Sequence, residues 1–469
     1  MIGRMDEAGT LLGCLESEQP QFVAVTGRRR IGKTYLVREV LGDHFVFQST
    51  GLAKGNQRRQ LEEFGESLRR YGAADTPIPG DWFAAFRALR VLLEASRPGK
   101  KVVFLDELPW MDTRKSEFVS ALESFWNGWA SSRPDVLLVV CGSATSWLVG
   151  SLFLNTGGLH NRVTRRIHLQ SFTLAECREF LEARGVAMGM TDLLEAYMVF
   201  GGVPYYLELL DKRYSLARSI GRECFSAGGQ LRYEFDALYA SLFEHSERHV
   251  QIVRALATKR KGVTRAEIVR ATGLPDGGRL TKTLTDLEQC GFIGTVQPFE
   301  RKKRGTLYKL IDFFTAFHLA FIESSDPDPE FWLKYAAGPA HSAWSGNAFE
   351  LVCRAHLPQL LAELGVGAVI THASGWRSER SSPGAQIDLV IDRADNVINL
   401  CEIKYAPGPY LVSKSLDQAM RRRRSVFMDE TGTRKAVHLT LVTPFGVRRN
   451  QYSDALQSQV SMEPVIRGA

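Results

Sequence analysis

The sequence predicts a multidomain α/β protein, on the basis of its length, its hydrophobic pattern and its composition. The chain has 469 residues, or about three domains at roughly 150 residues per domain. Through the first half, short apolar runs alternate with amphipathic stretches, which is typical of a parallel sheet buried between helices. The hydrophobic fraction of 44% and the charged fraction of 24% are those of a globular protein. Strands are predicted at residues 22–26, 45–48, 102–105, 137–140 and 166–169, and helices at 56–71 and 82–95.

The distribution of charge and the cysteine pattern indicate a cellular compartment and a class of binding partner. The net charge is +7, and residues 251–310 carry 13 Lys/Arg against 5 Asp/Glu, which favours a polyanionic partner. The seven cysteines are scattered and never form a CxxC pair, which fits a reducing cytoplasm and argues against disulfides or a zinc site. The N-terminus lacks the apolar run of a signal peptide, and no apolar run approaches the ~20 residues that span a bilayer. We therefore expect a cytoplasmic protein without a membrane partner.

Residues 27–34 read GRRRIGKT, a GxxxxGK[ST] motif between the predicted strand 22–26 and a helical stretch. Glycines in such a turn let backbone N–H groups wrap a phosphate, and the following helix N-terminus adds partial positive charge. Lys33 would bridge the β- and γ-phosphates, and the hydroxyl of Thr34 would ligate Mg²⁺. The motif predicts a bound nucleoside triphosphate and Mg²⁺, with these binding residues: Gly27, Arg30, Ile31, Gly32, Lys33 and Thr34.

A second apolar strand ends in the carboxylates Asp106 and Glu107. Asp106 would hold Mg²⁺ through water, and Glu107 would orient and polarise the attacking water. A solvated strand end is the alternative for this motif alone. Together with the phosphate loop it predicts hydrolysis of the nucleotide.

A third strand, 136–141, is followed by GSAT, in which Ser143 is a candidate sensor of the γ-phosphate. An ordinary strand-to-helix turn is the alternative. Arg162, Arg165 and Arg166 cluster further along the chain. One of them would stabilise the charge that develops on a transferring phosphoryl group, or all three would form a solvated basic face.

These motifs resemble the archaeal-type family of STAND and AAA+-related P-loop ATPases over roughly residues 2–210. IGRMDE at 2–7 resembles the GRxxE box that precedes the phosphate loop, and DELPW at 106–110 matches the DEhPW form of the family. GGVP at 201–204 resembles a GxP motif, in which Pro204 would contact the nucleotide from a helical lid. The resemblance implies a sheet with the phosphate-loop strand near its centre, and ATP rather than GTP.

Residues 246–312 predict three short helices followed by a β-hairpin, the arrangement of a winged helix. The tip of the hairpin carries RKKR at 301–304. In a winged helix the third helix enters a major groove while the wing touches phosphates. This segment resembles the winged-helix module that follows the ATPase in this family. A structural arm packed against the ATPase is the alternative.

Residues 340–450 predict a helix, two strands, a helix and a strand. A three-residue loop at 394–396 would close a hairpin in which paired residue numbers sum to 790, placing Asp388 opposite Glu402 with Lys404 on the same face. Glu350, in the predicted helix 347–364, would add a carboxylate. Such acids bind a metal in Mg²⁺-dependent phosphodiester cleavage, while the lysine orients water.

This spacing resembles the PD-(D/E)xK nuclease fold and the C-terminal module that accompanies the ATPase family, with Ile387 where the proline of the motif stands. RRRR at 421–424, after the predicted helix 411–420, would grip a nucleic-acid backbone or be solvated.

The predicted organisation is therefore a P-loop ATPase core at 1–175, a helical lid at 176–245, a winged helix at 246–325 and a restriction-endonuclease-like α/β domain at 340–450. We expect an ATP- and Mg²⁺-dependent enzyme that acts on DNA. The alternative is an ATP-dependent switch that binds partners and cleaves nothing. Assembly into a homo-oligomer is left open. The expected catalytic residues are Glu107, Asp388, Glu402 and Lys404, and the expected metal ligands are Thr34, Asp106, Glu350, Asp388 and Glu402.

Overall fold

The computed structural model describes residues 1–143, 145–153, 157–259, 262–299, 306–336, 338–378, 380 and 384–468, which form two compact units. The first unit combines Met1–Ser171 with Leu238–Ser246 and Thr285–Gly291. The second combines Phe172–Ala237, Glu247–Leu284 and Phe292–Ala469. None of the helices within the described ranges has the length and apolar character that crossing a bilayer requires.

A five-stranded parallel sheet forms the framework of the first unit and confirms the predicted α/β fold. Its strands, each of which contains one predicted run, are β1 (Gln21–Gly27), β2 (Phe45–Thr50), β3 (Lys101–Asp106), β4 (Val136–Cys141) and β5 (Arg165–Leu169). They are ordered β2-β3-β4-β1-β5, and all neighbours run parallel. Because β1, β3 and β4 are buried along their whole length, they appear in the sequence as unbroken apolar runs.

Helices pack on both faces of this sheet. They are α1 (Met5–Glu16), α2 (Lys33–Leu41), α3 (Gln57–Arg70), α4 (Trp82–Ala95), α5 (Leu108–Met111), α6 (Phe118–Gly128) and α7 (Thr145–Leu148). Phe22 and Ala24 of β1 belong to a core with α3, α4 and α6, whereas Val23 and Val25 belong to a core with α1 and α2. This alternation is the period of two expected for a strand that is covered on both faces. Each face of the sheet therefore has its own hydrophobic core, and the ends of the strands remain available to form a site.

The middle of the chain is helical. Its helices are α8 (Leu174–Ala183), α9 (Met190–Phe200), α10 (Pro204–Glu208), α11 (Leu216–Ile220), α12 (Glu234–Leu242), α13 (Ser246–Thr258), α14 (Arg265–Thr272), α15 (Gly278–Gln289), α16 (Phe313–Phe317) and α17 (Phe331–Tyr335). Helix α8 begins with a capping box formed by Thr173 and Glu176, and α14 with one formed by Thr264 and Glu267. In each box the threonine and the glutamate satisfy each other's free backbone N–H groups, which fixes where the helix starts.

An antiparallel hairpin follows α15. Its strands are β6 (Ile293–Val296) and β7 (Leu307–Leu310). Val263, in the segment before α14, also pairs with Tyr308 of β7. The predicted basic tip at 301–304 lies outside the described residues. Three helices and a hairpin therefore follow one another in the order that the sequence predicts.

The C-terminal part contains a five-stranded mixed sheet. Its elements are α18 (Pro339–Ala355), α19 (Leu357–Glu363), β8 (Thr371–Arg377), β9 (Gln386–Arg393), β10 (Val397–Ile403), β11 (Tyr410–Leu411), α20 (Lys414–Thr431), β12 (Ala436–Thr443), β13 (Val447–Arg448), β14 (Ser458–Ser461) and α21 (Glu463–Arg467). The strand order is β14-β12-β10-β9-β8. Strands β8, β9 and β10 pair antiparallel, whereas β12 is parallel to both β10 and β14. The short strands β11 and β13 pair separately.

The predicted hairpin register is confirmed, since Leu389 pairs with Cys401 and Asp392 with Ile398, and each pair of residue numbers sums to 790. Several other predictions for this part were wrong. The helix predicted at 411–420 runs from Lys414 to Thr431, because Ser413 caps its start and nothing ends it before Gly432 at φ 61°. The arginines 421–424 therefore lie within the helix and not after it. The predicted helix 347–364 is two helices, α18 and α19, that divide at His356. Strands β8, β11, β13 and β14 were missed.

A buried histidine in the second unit makes stability depend on pH. Its ring stacks on Phe235 at a centroid distance of 4.4 Å. Burial, together with the charges of Arg232 and Arg254, lowers the pKa of His318 to about 4. In the unfolded chain the imidazole takes up a proton near pH 6.5. The contribution of neutral His318 to the free energy of unfolding is therefore complete above pH 6.5, and it is lost as the pH falls through 6.5 towards 4.

At about 1.36 kcal/mol per pKa unit, the free energy of unfolding would fall by up to ~3 kcal/mol across this window. We expect the variant His318→Phe to flatten this dependence, measured as the urea midpoint at pH 7.5 and at pH 4.5. The exposed His372 provides the control variant His372→Phe. Equal losses on acidification in wild type and His318→Phe would contradict the expectation.

Candidate functional site

The turn between β1 and α2 has the backbone conformation of a phosphate-binding loop. Gly27 has φ 133° and Gly32 has φ 90°, values that L side chains rarely adopt. A Cβ at Gly27 would lie 2.5 Å from the backbone oxygen of Leu169, so a side chain at this position is excluded by contact as well as by conformation. Arg30 also has positive φ, at 70°, and the side chain of Ile31 is fully buried beneath the turn.

Lys33, the first residue of α2, places its ammonium inside this turn. Its Nζ donates hydrogen bonds to the backbone oxygens of Gly27 (3.0 Å) and Arg28 (2.8 Å), and to Oγ of Ser143 at 3.4 Å. Burial lowers the pKa of Lys33, while the nearby carboxylates of Glu107 and Asp106 act in the opposite direction. A cation is thus held where the loop would receive an anion.

Thr34 and Asp106 are in direct contact. The hydroxyl of Thr34 donates to both carboxylate oxygens of Asp106, at 3.0 and 3.2 Å. Asp106 Oδ1 also accepts hydrogen bonds from the backbone N–H of Glu107 at 2.9 Å and from Sγ of Cys141 at 2.7 Å. A hydroxyl and a carboxylate are the hard oxygen donors that Mg²⁺ prefers. The residues present therefore fit the metal ion that the motif predicts.

Glu107 and Ser143 complete the group. Glu107 has φ 47°, and its carboxylate accepts hydrogen bonds from the hydroxyl of Ser143 at 2.7 Å and from the backbone N–H of Ser143 at 3.2 Å. The sheet order explains this meeting, because β4 lies between β1 and β3 and so its end lies between the phosphate loop and the two carboxylates. Ser143 contacts both Lys33 and Glu107.

Arg4 supports the loop from the N-terminal segment. Its side chain is buried, and its Nη2 donates to the backbone oxygens of Gln170 (2.7 Å) and Ile31 (3.4 Å). Glu7 lies 3.6 Å away in an ion pair. The GRxxE residues therefore hold the phosphate loop in place.

The three candidate arginines make contacts of their own within the first unit. Arg166 lies over the ring of Phe153 at 4.2 Å. Arg162 donates to the backbone oxygen of Gly158, and Arg165 to that of Thr164. Pro204 is the first residue of α10 and belongs to the second unit.

Two cysteines at the site were not anticipated from the sequence. Cys141 lies at the end of β4, where its thiol contacts Asp106. Cys290 belongs to the stretch Thr285–Gly291 of the first unit, and burial raises the pKa of its thiol to about 12. No motif marks Cys290, because it lies far along the chain from Lys33, with which it interacts. Residues so distant in sequence leave no local pattern.

The C-terminal candidates form a second group, in the other unit. Nζ of Lys404 lies 2.9 Å from Oε1 of Glu402, and Arg423 of α20 pairs with the other oxygen of that carboxylate. Asp388 Oδ1 accepts a hydrogen bond from Nε2 of Gln386 at 2.7 Å. Burial, and next the negative charge of Asp388, raise the pKa of Glu350 to about 7.

These carboxylates are not gathered as a metal site. Within the described ranges, no three His, Cys, Asp or Glu side chains are placed so that they could hold a metal ion. The reason at Glu402 is plain, since two cations occupy its two oxygens. Arg423 was not among the predicted site residues, because the sequence pattern placed it beyond the end of the helix.

The sheet order, the phosphate-binding turn and the carboxylates Asp106 and Glu107 define the first unit as a P-loop ATPase domain. Residues 2–210 match the family described as an ATPase domain predominantly from Archaea, and the chain is an ATPase. An uncharacterized protein of Methanocaldococcus jannaschii is 24% identical over 328 residues, which cover 68% of this chain and 68% of that protein. The solved Walker-type ATPase of Pyrococcus abyssi has a TM-score of 0.51 at 18% identity, covering 68% of this chain and 96% of that one, and shares its fold.

Replacing Glu107 by glutamine should separate binding from hydrolysis. The amide keeps the size of the side chain but cannot polarise water as a carboxylate does, so we expect ATP binding to persist while kcat falls by about 10²-fold or more. Binding is measured by titration with a fluorescent ATP analogue and turnover by phosphate release. The exposed Glu117→Gln provides the control. Turnover at the wild-type rate in Glu107→Gln would contradict the assigned role.

Proposed function

We propose that this ATPase acts on DNA through its second unit, in which a winged helix and a nuclease-like domain engage the nucleic acid. The hydrogen bond between Thr34 and Asp106 is the observation that carries the ATPase chemistry, because it joins the two residues that would hold Mg²⁺. The proposed domains are those predicted from the sequence, with the core at 1–175, the lid at 176–245, the winged helix at 246–325 and the nuclease-like domain at 340–450.

In the ATPase site, backbone N–H groups of the loop from Gly27 to Gly32 wrap the phosphates, and Lys33 binds the β- and γ-phosphates. Mg²⁺, when held by Thr34 and Asp106, neutralises phosphate charge. Glu107 orients and polarises the attacking water. Since the hydroxyl of Ser143 contacts both Lys33 and Glu107, it is placed to sense the γ-phosphate.

The DNA partner is supported by charge and by the order of elements. The excess of Lys and Arg in residues 251–310 is local, and it falls on the three helices and the hairpin proposed as a winged helix. Basic side chains there would contact phosphates rather than read bases.

The nuclease-like domain is supported by the hairpin register and by the sheet. Strands β8, β9 and β10 form an antiparallel meander, α20 follows, and β12 returns parallel to β10. Asp388 and Glu402 lie on the two paired strands. Glu350 is close enough to Asp388 that the negative charge of Asp388 helps to raise the pKa of Glu350. Asp388, Glu402 and Glu350 are the proposed metal ligands, and Lys404 orients water.

A second candidate function is an ATP-dependent switch whose C-terminal domain binds without cleaving. One observation favours it: Arg423 and Lys404 both pair with Glu402, which leaves that carboxylate neutralised by protein cations. Cleavage requires Glu402 to exchange these partners.

The experiment that tests the proposal measures ATP turnover and DNA cleavage side by side, with and without Mg²⁺. Linear, branched and supercoiled DNA serve as substrates, and ATPase activity is measured with and without each. Mg²⁺-dependent cleavage, or turnover that rises with DNA, supports action on DNA. Turnover that is indifferent to DNA, with no cleavage and no binding of any substrate, contradicts it.

A further inference from the structure

The hairpin β6–β7 is joined by backbone hydrogen bonds to the edge of the C-terminal sheet. The N–H of Phe299, just after β6, donates to the oxygen of Gly375 in β8 at 2.9 Å, and the N–H of Gly375 donates to the oxygen of Gln297 at 3.4 Å. Gly375 lies where the pairing of β8 with β9 shifts register. The ring of Phe299 also packs on that of Phe427 of α20 at 5.0 Å. The hairpin and the sheet are therefore one surface.

Between them lies a cleft of about 1100 Å³ that contains the predicted site residue Asp388. Two lysines line the cleft, Lys259 just after α13 and Lys309 of β7, and so do Arg377 of β8 and Arg380. Arg354 of α18 also faces the cleft and donates to the backbone oxygen of Asp388. Five cationic side chains thus surround one end of the proposed nuclease site.

The carboxylates that share the cleft have roles within the fold. Glu267 caps α14 and pairs with Lys259 at 3.0 Å, and hydrogen bonds with Thr264 and Lys259 lower its pKa to about 2. Glu430 accepts a hydrogen bond from the hydroxyl of Ser378. Arg377 and Arg380 are both exposed to solvent, so their charges are presented to a ligand.

We propose that this cleft binds single-stranded DNA, with backbone phosphates along Arg377 and Arg380 and a phosphodiester brought to Asp388. This rests on the proposed action on DNA and names its substrate. Phe299 and Trp376 also line the cleft, and aromatic side chains beside a basic groove are typical of single-strand sites. Single strands are held in this way by positively charged grooves that follow the backbone.

The test is binding of a fluorescein-labelled 12-nucleotide single strand to the full chain in EDTA, followed by anisotropy at several salt concentrations. In the variant Arg377→Ala/Arg380→Ala, we expect affinity to fall about tenfold and the slope of log K against log salt to decrease by about 1.4, since each phosphate contact on a single strand contributes ~0.7. The exposed pair Arg448→Ala/Arg449→Ala, outside the cleft, is the matched control.

Unchanged affinity and slope in Arg377→Ala/Arg380→Ala would overturn the proposal, as would equal binding of a blunt duplex of the same length by the wild type. The EDTA keeps this outcome separate from the proposed function. If the variant loses strand binding and no form of the protein cleaves DNA, single-strand binding by the cleft is supported and the proposed nuclease activity is contradicted. Mg²⁺-dependent cleavage that survives together with unchanged strand binding in the variant upholds the nuclease and contradicts the cleft.

Discussion

Replacing Lys33 by alanine should reduce ATP turnover at least a hundredfold, because removal of one preorganised charge from a transition state costs about 10²–10³ in rate. The ammonium is buried inside the phosphate loop and bonded to the backbone oxygens of Gly27 and Arg28. An alanine at this position offers neither a charge nor a donor to a phosphate. Turnover is measured by phosphate release and ATP affinity by titration with a fluorescent analogue.

Loss of turnover in Lys33→Ala is separated from unfolding by the melting temperature of the variant. Burial lowers the pKa of Lys33, so the fold bears a desolvation cost for holding this ammonium. Its removal ends that cost, but it leaves the backbone oxygens of Gly27 and Arg28 without their donor and the nearby carboxylates without a cation. Because these effects oppose each other, we expect the variant to remain folded at the assay temperature. Lys54→Ala, at an exposed lysine, is the control for a lost positive charge. Wild-type turnover in Lys33→Ala would remove the central assignment.

Local patterns in the sequence were sufficient to predict the strands and the turn from which the candidate ATPase site is built. Five buried runs predict five strands, and the spacing of GRRRIGKT fixes the turn, because glycines at 27 and 32 are required by backbone geometry. The antiparallel register was equally predictable from the length of the loop, since side chains alternate strictly along paired strands. In each case the determining interactions lie within a few residues along the chain.

Contacts between distant segments could not be predicted in the same way. The thiol of Cys141 reaches Asp106 only because β4 lies beside β3, and the sequence does not state the order of strands. The end of α20 was placed too early because four consecutive arginines look like the solvated end of a helix. In the fold, Arg423 of α20 instead pairs with Glu402 of β10. Strand β8 was missed because polar and apolar residues alternate only weakly along it. Its Gly375 forms backbone hydrogen bonds with the segment after β6, which is distant in sequence.

If the C-terminal domain cleaves DNA as proposed, the double variant Glu402→Ala/Lys404→Ala should lose Mg²⁺-dependent cleavage, with a fall of about 10²–10⁴ in rate, the range typical of positioned proton-transfer groups. Glu402 would no longer serve as a metal ligand, and Lys404 would no longer orient water. Removing both partners of the 2.9 Å ion pair avoids leaving Lys404 without its carboxylate, although Arg423 still loses a partner. Circular dichroism therefore accompanies the cleavage assay on linear, branched and supercoiled DNA.

The matched control is the exposed ion pair Arg449–Asp454 of the same unit, removed as Arg449→Ala/Asp454→Ala. This control removes one acid and one base without touching β9 or β10, so it should cleave as the wild type does. If both variants cleave equally, the acids on the hairpin are not the site. If the wild type cleaves none of these DNAs, the ion pairs of Glu402 do not belong to a catalytic site. Arg423 and Lys404 would then have a structural role at Glu402, and the second candidate function, an ATP-dependent switch that cleaves nothing, would be favoured.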